Sequence, residues 1–225
     1  MNTKIKKYPT QVFPLVRHLS YRLTPFLLKT SITPNQITFL SLIFGLLCGF
    51  CFIIGSYYLQ IVGALFFIIS YVLDNCDGEI ARIKDMSSEF GAKFDDIVDW
   101  VVDAFFFISL GYGVSEVSGH SFWFFLGIIA ASGAFIDYII DLRYHARNES
   151  NSVTREQQAK QKKIPENKID WLIYIFHKLS RADFCFIVFI LTLFNLIYIL
   201  LPFAAIGAQV YWITDLFERA RGYKT

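Results

Sequence analysis

Few of the residues and motifs that mark common catalytic sites occur in this chain of 225 residues. It has only four histidines and four cysteines. No His-Glu-x-x-His, P-loop or Gly-x-Ser-x-Gly sequence is present, so zinc proteases, P-loop nucleotide hydrolases and α/β-hydrolases lose their usual sequence support. Cys48 and Cys51 have the spacing of a redox pair, but they lie inside an apolar run, where cysteine usually acts as a small hydrophobic residue.

Long polar stretches are also scarce, because 55% of the residues are hydrophobic and 18% are aromatic. This composition argues against an ordinary soluble domain and indicates a chain that lies in a lipid bilayer. A helix needs about 20 apolar residues to cross the hydrocarbon layer. The apolar runs predict an all-α integral membrane protein with six transmembrane helices, at Ile37–Gly55, Leu59–Cys76, Ile97–Val117, Phe122–Leu142, Phe184–Leu200 and Pro202–Leu216.

Basic residues are absent from three connections between these runs. All 21 lysines and arginines lie before the first run, between the second and third, between the fourth and fifth, or after the sixth. Because cationic loops stay in the cytoplasm, this pattern predicts a multi-pass protein of the cytoplasmic (inner) membrane. Both termini and the connection between the second and third runs, which would carry the active site, are predicted to lie on the cytoplasmic side. Basic residues placed in this way indicate contacts with membrane lipids, and we expect no nucleic-acid partner.

The remaining segments predict no second domain, so the whole chain, residues 1–225, is interpreted as one membrane-embedded domain. Within residues 1–30, apolar and cationic positions alternate at helical spacing, as in Val16 and Leu19 against Arg17 and Arg22. This alternation predicts an amphipathic helix that lies in the membrane interface. The polar segment 148–168 is predicted to be a cytoplasmic loop.

Four aspartates occupy the junction between the second and third runs. Asp74 and Asp77 are three residues apart, and Asp95 and Asp99 are four apart, so each pair shares one face of its helix. Like charges about 4 Å apart repel by roughly 4 kcal/mol at an effective dielectric of about 20. Carboxylates that are buried together therefore either bind protons or hold cations. Oxygen ligands without histidine or cysteine favour Mg²⁺ or Mn²⁺, and four carboxylates suffice for two ions.

Small residues beside these aspartates indicate a ligand that approaches the backbone closely. Gly78 and Ala81 fall on the helical face of Asp74 and Asp77, although glycine inside a helix costs about 1 kcal/mol relative to alanine. Arg82 follows one turn after Gly78, where a guanidinium is placed to bind a phosphate. Gly91 allows the start of the third run to approach this loop closely.

The complete pattern Asp74-x-x-Asp77-Gly78-x-x-Ala81-Arg82, followed by Gly91, Asp95 and Asp99 at fixed intervals, resembles the signature of the CDP-alcohol phosphotransferase family. The wider resemblance covers 32–147 and includes Pro34-Asn35 and Thr38 at the start of the first run. It implies a metal-dependent enzyme that transfers a substituted phosphate group from a CDP-alcohol to the hydroxyl of another alcohol and releases CMP. It also implies a role in phospholipid biosynthesis and a homodimer.

The resemblance further implies roles for individual residues. Asp74, Asp77 and Asp95 would be metal ligands, and Asp99 would be the general base and a further ligand. The metals would bind the CDP diphosphate. Donor-binding residues would be Asn35, Thr38, Asp74, Gly78, Ala81, Arg82 and Gly91. Basic residues that would hold an acceptor phosphate are Arg143, His145, Arg147 and Arg181, and contacts of these residues with lipid headgroups are an equal alternative.

The sequence leaves three interpretations of the function open, two of which differ in the donor and one of which is another class of protein. The first interpretation is a phospholipid-synthesising enzyme that uses CDP-diacylglycerol and a small polar alcohol. The second has the same chemistry with a CDP-linked polar headgroup, such as CDP-inositol, as donor; Glu79 and the segment 33–41 resemble the inositol-phosphate branch. The third is a cation transporter, because ionisable groups at membrane depth also line ion pathways.

Overall fold

The computed structural model describes residues 14–149 and 183–220; the side chains at 141, 144–149 and 218–220 lie outside this description. These residues form helices and connecting turns, with no strand among them. The α-helices in chain order are α1 (Leu15–Leu27), α2 (Pro34–Ile53), α3 (Tyr57–Ile83), α4 (Glu89–Ser118), α5 (Phe122–Glu149), α6 (Phe184–Leu193) and α7 (Leu200–Ala220), and a 3-10 turn covers Ile197–Ile199.

Five helices in the described residues are long and apolar enough to cross a membrane, and α6 is a shorter apolar helix. The prediction of an all-α membrane protein is therefore confirmed. The five segments are Pro34–Ile53, Tyr57–Ile83, Glu89–Ser118, Phe122–Ile140 and Ile197–Phe217.

The fifth predicted span, Phe184–Leu200, is interrupted in the structure. Helix α6 ends at Leu193, and Asn195 adopts a positive φ of 55° before the 3-10 turn begins. Asparagine tolerates this left-handed conformation because its short polar side chain bonds locally. The chain therefore turns at Asn195 within an otherwise apolar run.

Caps fix the starts of the two helices that enter the carboxylate region. Helix α2 begins after Thr33, whose hydroxyl accepts from the Gln36 N–H while the Gln36 side chain accepts from the Thr33 N–H. Pro34 suits the first helical position because no helical partner is needed for its nitrogen. Helix α4 begins after Ser88, whose hydroxyl accepts from the Gly91 N–H at 3.0 Å. Both caps define where the polar ends of these helices lie.

Aromatic rings fill the centre of the bundle. Phe67 of α3 stacks on Phe106 of α4 with a centroid distance of 4.6 Å, and Phe52 of α2 meets the edge of Phe106 at 5.3 Å. Phe184 of α6 contacts Phe67 at 6.0 Å. Phe52, Phe67 and Phe106 are completely buried, and a buried aromatic side chain contributes a large apolar area. This core holds α2, α3 and α4 together below the carboxylates.

Helix α1 faces the bundle with a partly polar stripe. Its buried residues are Val16, Ser20 and Thr24, spaced four apart, whereas Leu15 and Leu19 are more than a third exposed. Leu15 and Leu19 thus point away from the bundle, as expected of side chains that contact lipid, whereas Val16 of the predicted amphipathic pattern is buried in the bundle. The first thirteen residues, which the prediction also included, lie outside the described residues.

Candidate metal and substrate site

Three of the four predicted aspartates meet where α3 ends and α4 begins. Asp74, Asp95 and Asp99 each present one carboxylate oxygen, and these three oxygens lie within 4.8 Å of one another. Asp74 comes from α3, and Asp95 and Asp99 come from successive turns of α4. The first two are half-buried and Asp99 is exposed. The two helix ends therefore bring the carboxylates together as the residue spacing predicts.

Asp77 lies beside this group and is bound by α2. It is only 4% exposed, and its Oδ2 accepts a hydrogen bond from the Thr38 hydroxyl. It is also close enough to Asp95 and Asp99 for their charges to repel its own. Thr38 thus supplies a hydrogen-bond donor to Asp77 and orients its carboxylate.

Two buried oxygens in this group fit the chemistry of a divalent cation. Asp74 Oδ1 and Asp95 Oδ1 are buried and receive no hydrogen bond from any residue that the structure describes. A buried carboxylate oxygen without a donor is costly, and a hard cation such as Mg²⁺ or Mn²⁺ takes that position through oxygen ligands. The donor set of Asp74, Asp95 and Asp99, with Asp77 adjacent, therefore fits the predicted metal.

Gly78 and Arg82 form a second part of the site on α3. A Cβ atom added at Gly78 would lie 3.3 Å from one guanidinium nitrogen of Arg82. The exposed Arg82 guanidinium therefore lies directly beside the position that a side chain at Gly78 would take. Ala81 is half-buried on the same side of the helix. An exposed guanidinium on the helix that carries Asp74 and Asp77 is suited to an anionic ligand such as a phosphate.

Asn35 and Gly91 bring the starts of α2 and α4 together. A Cβ atom added at Gly91 would lie 3.1 Å from Asn35 Oδ1 and 3.0 Å from Ser88 Oγ. Both distances are shorter than an ordinary van der Waals contact, so a side chain at position 91 would require Asn35 and Ser88 to shift. The predicted donor-binding residues Asn35, Thr38, Gly78, Arg82 and Gly91 therefore surround the same end of the bundle as the aspartates.

The predicted acceptor residues lie at or beyond the edge of the described structure. Arg143 is exposed near the end of α5. The backbone of His145 and Arg147 continues α5, but their side chains lie outside the description, as does all of Arg181. The predicted loop 148–168 is also outside it, apart from the last residues of α5.

Two polar contacts near the site were not anticipated from the sequence. Tyr71 donates to Asp103 Oδ1 at 3.1 Å. Tyr71 lies about one turn before Asp74 on α3, and Asp103 lies about one turn after Asp99 on α4. Glu79 accepts from the hydroxyls of Ser20 and Thr24 on α1. A sequence signal for the second contact did exist, because Ser20 and Thr24 are four residues apart on a helix whose remaining polar residues are mostly cationic.

Comparison with known proteins gives one family match. The model of the family described as CDP-alcohol phosphatidyltransferase matches residues 31–211, which is most of the chain and includes every aspartate of the site.

Curated relatives match shorter parts of the chain. A protein of Thermococcus kodakarensis named bifunctional IPC transferase and DIPP synthase is 31% identical over 121 residues, covering 52% of this chain and 26% of that protein. A protein of the same name from Aquifex aeolicus is 29% identical over 117 residues, with the same coverage. The archaetidylinositol phosphate synthase of Pyrococcus horikoshii is 28% identical over 104 residues, covering 46% of this chain and 54% of that protein. The chain thus matches about a quarter of the first two relatives and about half of the third.

Proposed function

Because this chain belongs to the CDP-alcohol phosphatidyltransferase family, we propose that it is a membrane enzyme of phospholipid synthesis that transfers a substituted phosphate group from a CDP-alcohol to another alcohol. The observation that carries this proposal is the group formed by Asp74, Asp95 and Asp99, whose three carboxylate oxygens lie within 4.8 Å of one another. Asp74 and Asp95 each have a buried oxygen that receives no hydrogen bond from the described residues. Such a group suits a metal-bound diphosphate.

The proposed reaction assigns a role to each part of the site. The acceptor oxygen attacks the phosphorus distal to the cytidine, a new P–O bond forms, and the bond to the bridging oxygen breaks to release CMP. Asp99 takes the proton of the acceptor hydroxyl, because it is the exposed member of the group. Asp74, Asp77 and Asp95 would hold Mg²⁺ or Mn²⁺, which when bound neutralises charge on the diphosphate.

The neighbouring residues bind the donor in this proposal. Arg82 pairs with an oxygen of the diphosphate, and the absence of a side chain at Gly78 leaves room for the nucleotide once the guanidinium moves onto that phosphate. Asn35 and Thr38 border the same space from α2. Arg143, His145, Arg147 and Arg181 remain the proposed residues for an acceptor phosphate.

We propose that one of the two substrates carries an inositol phosphate. The name of the P. horikoshii relative contains archaetidylinositol phosphate, and Glu79 lies in the signature where this chain resembles the inositol-phosphate branch. Two donors fit this proposal: CDP-diacylglycerol with inositol phosphate as acceptor, or CDP-inositol with a second alcohol as acceptor. Both reactions release CMP, so CMP release tests the proposed class of reaction. The donor and acceptor pair that gives CMP then identifies the donor.

The test measures CMP released by the purified full chain. CDP-diacylglycerol and CDP-inositol are offered in turn as donors, each with inositol phosphate and glycerol phosphate as acceptors, with Mg²⁺ or Mn²⁺ and with a chelator. We expect CMP release with one pair, and its loss on chelation. A cation transporter would release no CMP with any pair, and that result would overturn the proposal.

Asp99→Asn tests the proposed base. The amide can still contact a cation but cannot take a proton, so CMP release should fall by about 10²-fold or more while Mn²⁺ remains bound. Asp96→Asn is the matched control, because this neighbouring exposed aspartate is not part of the three-carboxylate group. Full activity of Asp99→Asn would show that another group accepts the proton.

A further inference from the structure

Glu79 joins helix α1 to the segment of α3 that carries the site. Ser20 Oγ donates to Glu79 Oε1 at 3.0 Å, and Thr24 Oγ1 donates to Glu79 Oε2 at 2.6 Å. Ser20 is completely buried and Thr24 is 4% exposed. Both oxygens of one carboxylate are thus bound by two hydroxyls from successive turns of α1, and we call this the Glu79–α1 contact.

Further polar contacts hold α1 at both ends. Val16 N, in the first turn of α1, donates to Oδ1 of the buried Asp183 at 3.1 Å, just before α6 begins. After α1, Lys84 Nζ donates to the carbonyl oxygens of Thr30 at 3.1 Å and of Ile32 at 2.9 Å. Because Glu79 and Lys84 are both near the end of α3, this end of α3 is fixed to α1 and to the connection that follows it.

Glu79 lies on the opposite side of α3 from the metal-site aspartates. At about 100° per residue, Glu79 is about 140° around the helix from Asp74 and about 160° from Asp77. Helix α1 therefore packs behind α3, while the carboxylates point to the other side. A rotation of α3 by about 20° would move a side-chain end by roughly 2 Å, because that end lies about 5–6 Å from the helix axis.

The chemistry of the contact indicates a role in position rather than in stability. Glu79 is half-buried, and the cost of removing its carboxylate from water offsets much of what the two hydrogen bonds contribute to stability. Two hydrogen bonds to one carboxylate do, however, fix both the rotation and the height of a helix. Metal sites tolerate only about 0.2 Å of variation in ligand distances, so this positioning matters for Asp74 and Asp77.

We propose that Glu79 is a positioning residue of the metal site, which acts through Ser20 and Thr24 to hold α3 in the rotation that places Asp74 and Asp77. The inference rests on the proposed function, because it assumes that these aspartates hold the metal. In this proposal α1 contributes to the position of the metal ligands, although none of the residues in the family signature lies on α1.

The first test measures the affinity of the purified full chain for Mn²⁺ by electron paramagnetic resonance, in the absence of any substrate. Glu79→Ala should weaken Mn²⁺ binding by about tenfold and raise the Mn²⁺ concentration for half-maximal CMP release by a similar factor. Ser20→Ala with Thr24→Ala should do the same, and adding Glu79→Ala to that pair should weaken binding little further. Wild-type Mn²⁺ affinity in Glu79→Ala, or additive losses in the combined variant, would overturn the proposal.

Glu79→Gln separates position from charge. The amide has one acceptor and one donor, and each hydroxyl can donate or accept, so the Glu79–α1 contact is retained without the charge. Mn²⁺ affinity should therefore stay within about twofold of the wild-type value. A loss as large as that of Glu79→Ala would overturn the proposal, because it would show that the negative charge itself is required.

Amide hydrogen exchange reports the contact without any use of the metal. Exchange across Leu15–Leu27 should increase in Glu79→Ala and remain unchanged in the control Glu89→Ala, whose side chain bonds Lys93 on the exposed start of α4. Unchanged exchange in Glu79→Ala would contradict the proposal. If the wild type released no CMP while Glu79→Ala still weakened Mn²⁺ binding, the proposed reaction would fail and the positioning role would stand.

Discussion

The four signature aspartates have different surroundings, although their spacing makes them look equivalent. Asp99 is exposed, Asp74 and Asp95 are half-buried with one oxygen each that lacks a donor, and Asp77 is buried and bound by Thr38. The exposed aspartate is suited to exchange a proton, and the buried ones are suited to hold a cation. The surroundings of each carboxylate therefore divide the proposed roles among them.

Thr38→Val should reduce metal binding through Asp77. Valine has the shape of threonine but cannot donate, so Asp77 loses the hydroxyl that orients it. A hydrogen bond to a charged group contributes about 1.5–3 kcal/mol, which corresponds to roughly a 10- to 100-fold change in affinity. We expect Mn²⁺ affinity to fall in this range, as measured by electron paramagnetic resonance. Thr38→Ser keeps the hydroxyl and should retain binding, and an unchanged affinity in Thr38→Val would contradict this role of Thr38.

At the residue level, sequence analysis predicts the aspartates and glycines better than their partners. Fixed spacing on two helix ends is sufficient to bring Asp74, Asp95 and Asp99 together. The bond between Glu79 and Thr24 joins residues 55 positions apart, and the four-residue spacing of Ser20 and Thr24 does not indicate which distant residue they bind. The Tyr71–Asp103 bond was likewise not predicted, because a single aspartate in an apolar run is equally consistent with a side chain that extends to the membrane surface.

Among the helices, α4 and α5 pack with their backbones in close contact. A Cβ atom added at Gly127 would lie 2.5 Å from the carbonyl oxygen of Phe107 and 3.1 Å from the Cα of Gly111. Small residues allow this approach, which is a common way to pack helices in membranes. Since α4 carries two of the site carboxylates, its packing on α5 also supports the site.

Gly127→Ala should destabilise this helix pair. The added methyl group cannot avoid a backbone oxygen, so α4 and α5 must separate, at a cost of about 1–3 kcal/mol. The midpoint of thermal unfolding in detergent should fall by several degrees, at roughly 2–4 °C per kcal/mol for a chain of this size.

Gly119→Ala is the comparison for Gly127→Ala. Gly119 has a φ of 71° and no atom within 4 Å of an added Cβ, so alanine there costs only about 1–2 kcal/mol of backbone strain without separating any helices. Cross-linking between α4 and α5 should change in Gly127→Ala and not in Gly119→Ala. An unfolding midpoint for Gly127→Ala equal to that of the wild type would disprove the close packing.

Most helices follow from the apolar runs, but their ends do not. Helix α3 continues through Ile83, well past the apolar run predicted to end at Cys76, because Glu79 and Lys84 satisfy their polar groups through α1 and its connection. The break at Asn195 was missed for the opposite reason. The residues around it are apolar on both sides, so hydrophobicity alone gives no boundary there.

For the whole molecule, the segregation of basic residues gives a testable orientation. The connection between α3 and α4 contains the exposed Ser87, and the connection between α4 and α5 contains the exposed His120. The charge pattern predicts that these two positions face opposite sides of the membrane, with Ser87 in the cytoplasm. The four native cysteines are buried or half-buried, so labelling of introduced cysteines is not masked by them.

Labelling with a membrane-impermeant maleimide measures this orientation. His120→Cys should react in intact cells, and Ser87→Cys should react only after the cells are permeabilised. The wild-type chain is the control for reaction at native cysteines. The reverse pattern would place the carboxylate group on the outer side and would contradict a cytoplasmic supply of nucleotide-linked donor.

A carboxylate group where transmembrane helices end is open to two phases, the aqueous solution and the plane of the lipids. A donor with acyl chains would reach it by lateral diffusion, so the reaction rate would depend on the donor's mole fraction among the lipids rather than on its bulk concentration. Dilution with inert detergent at constant bulk concentrations should then slow CMP release from CDP-diacylglycerol in proportion to the dilution. Release from a water-soluble donor such as CDP-inositol, with a water-soluble acceptor, should not change. Surface dilution thus distinguishes the two donors by the phase from which each one arrives.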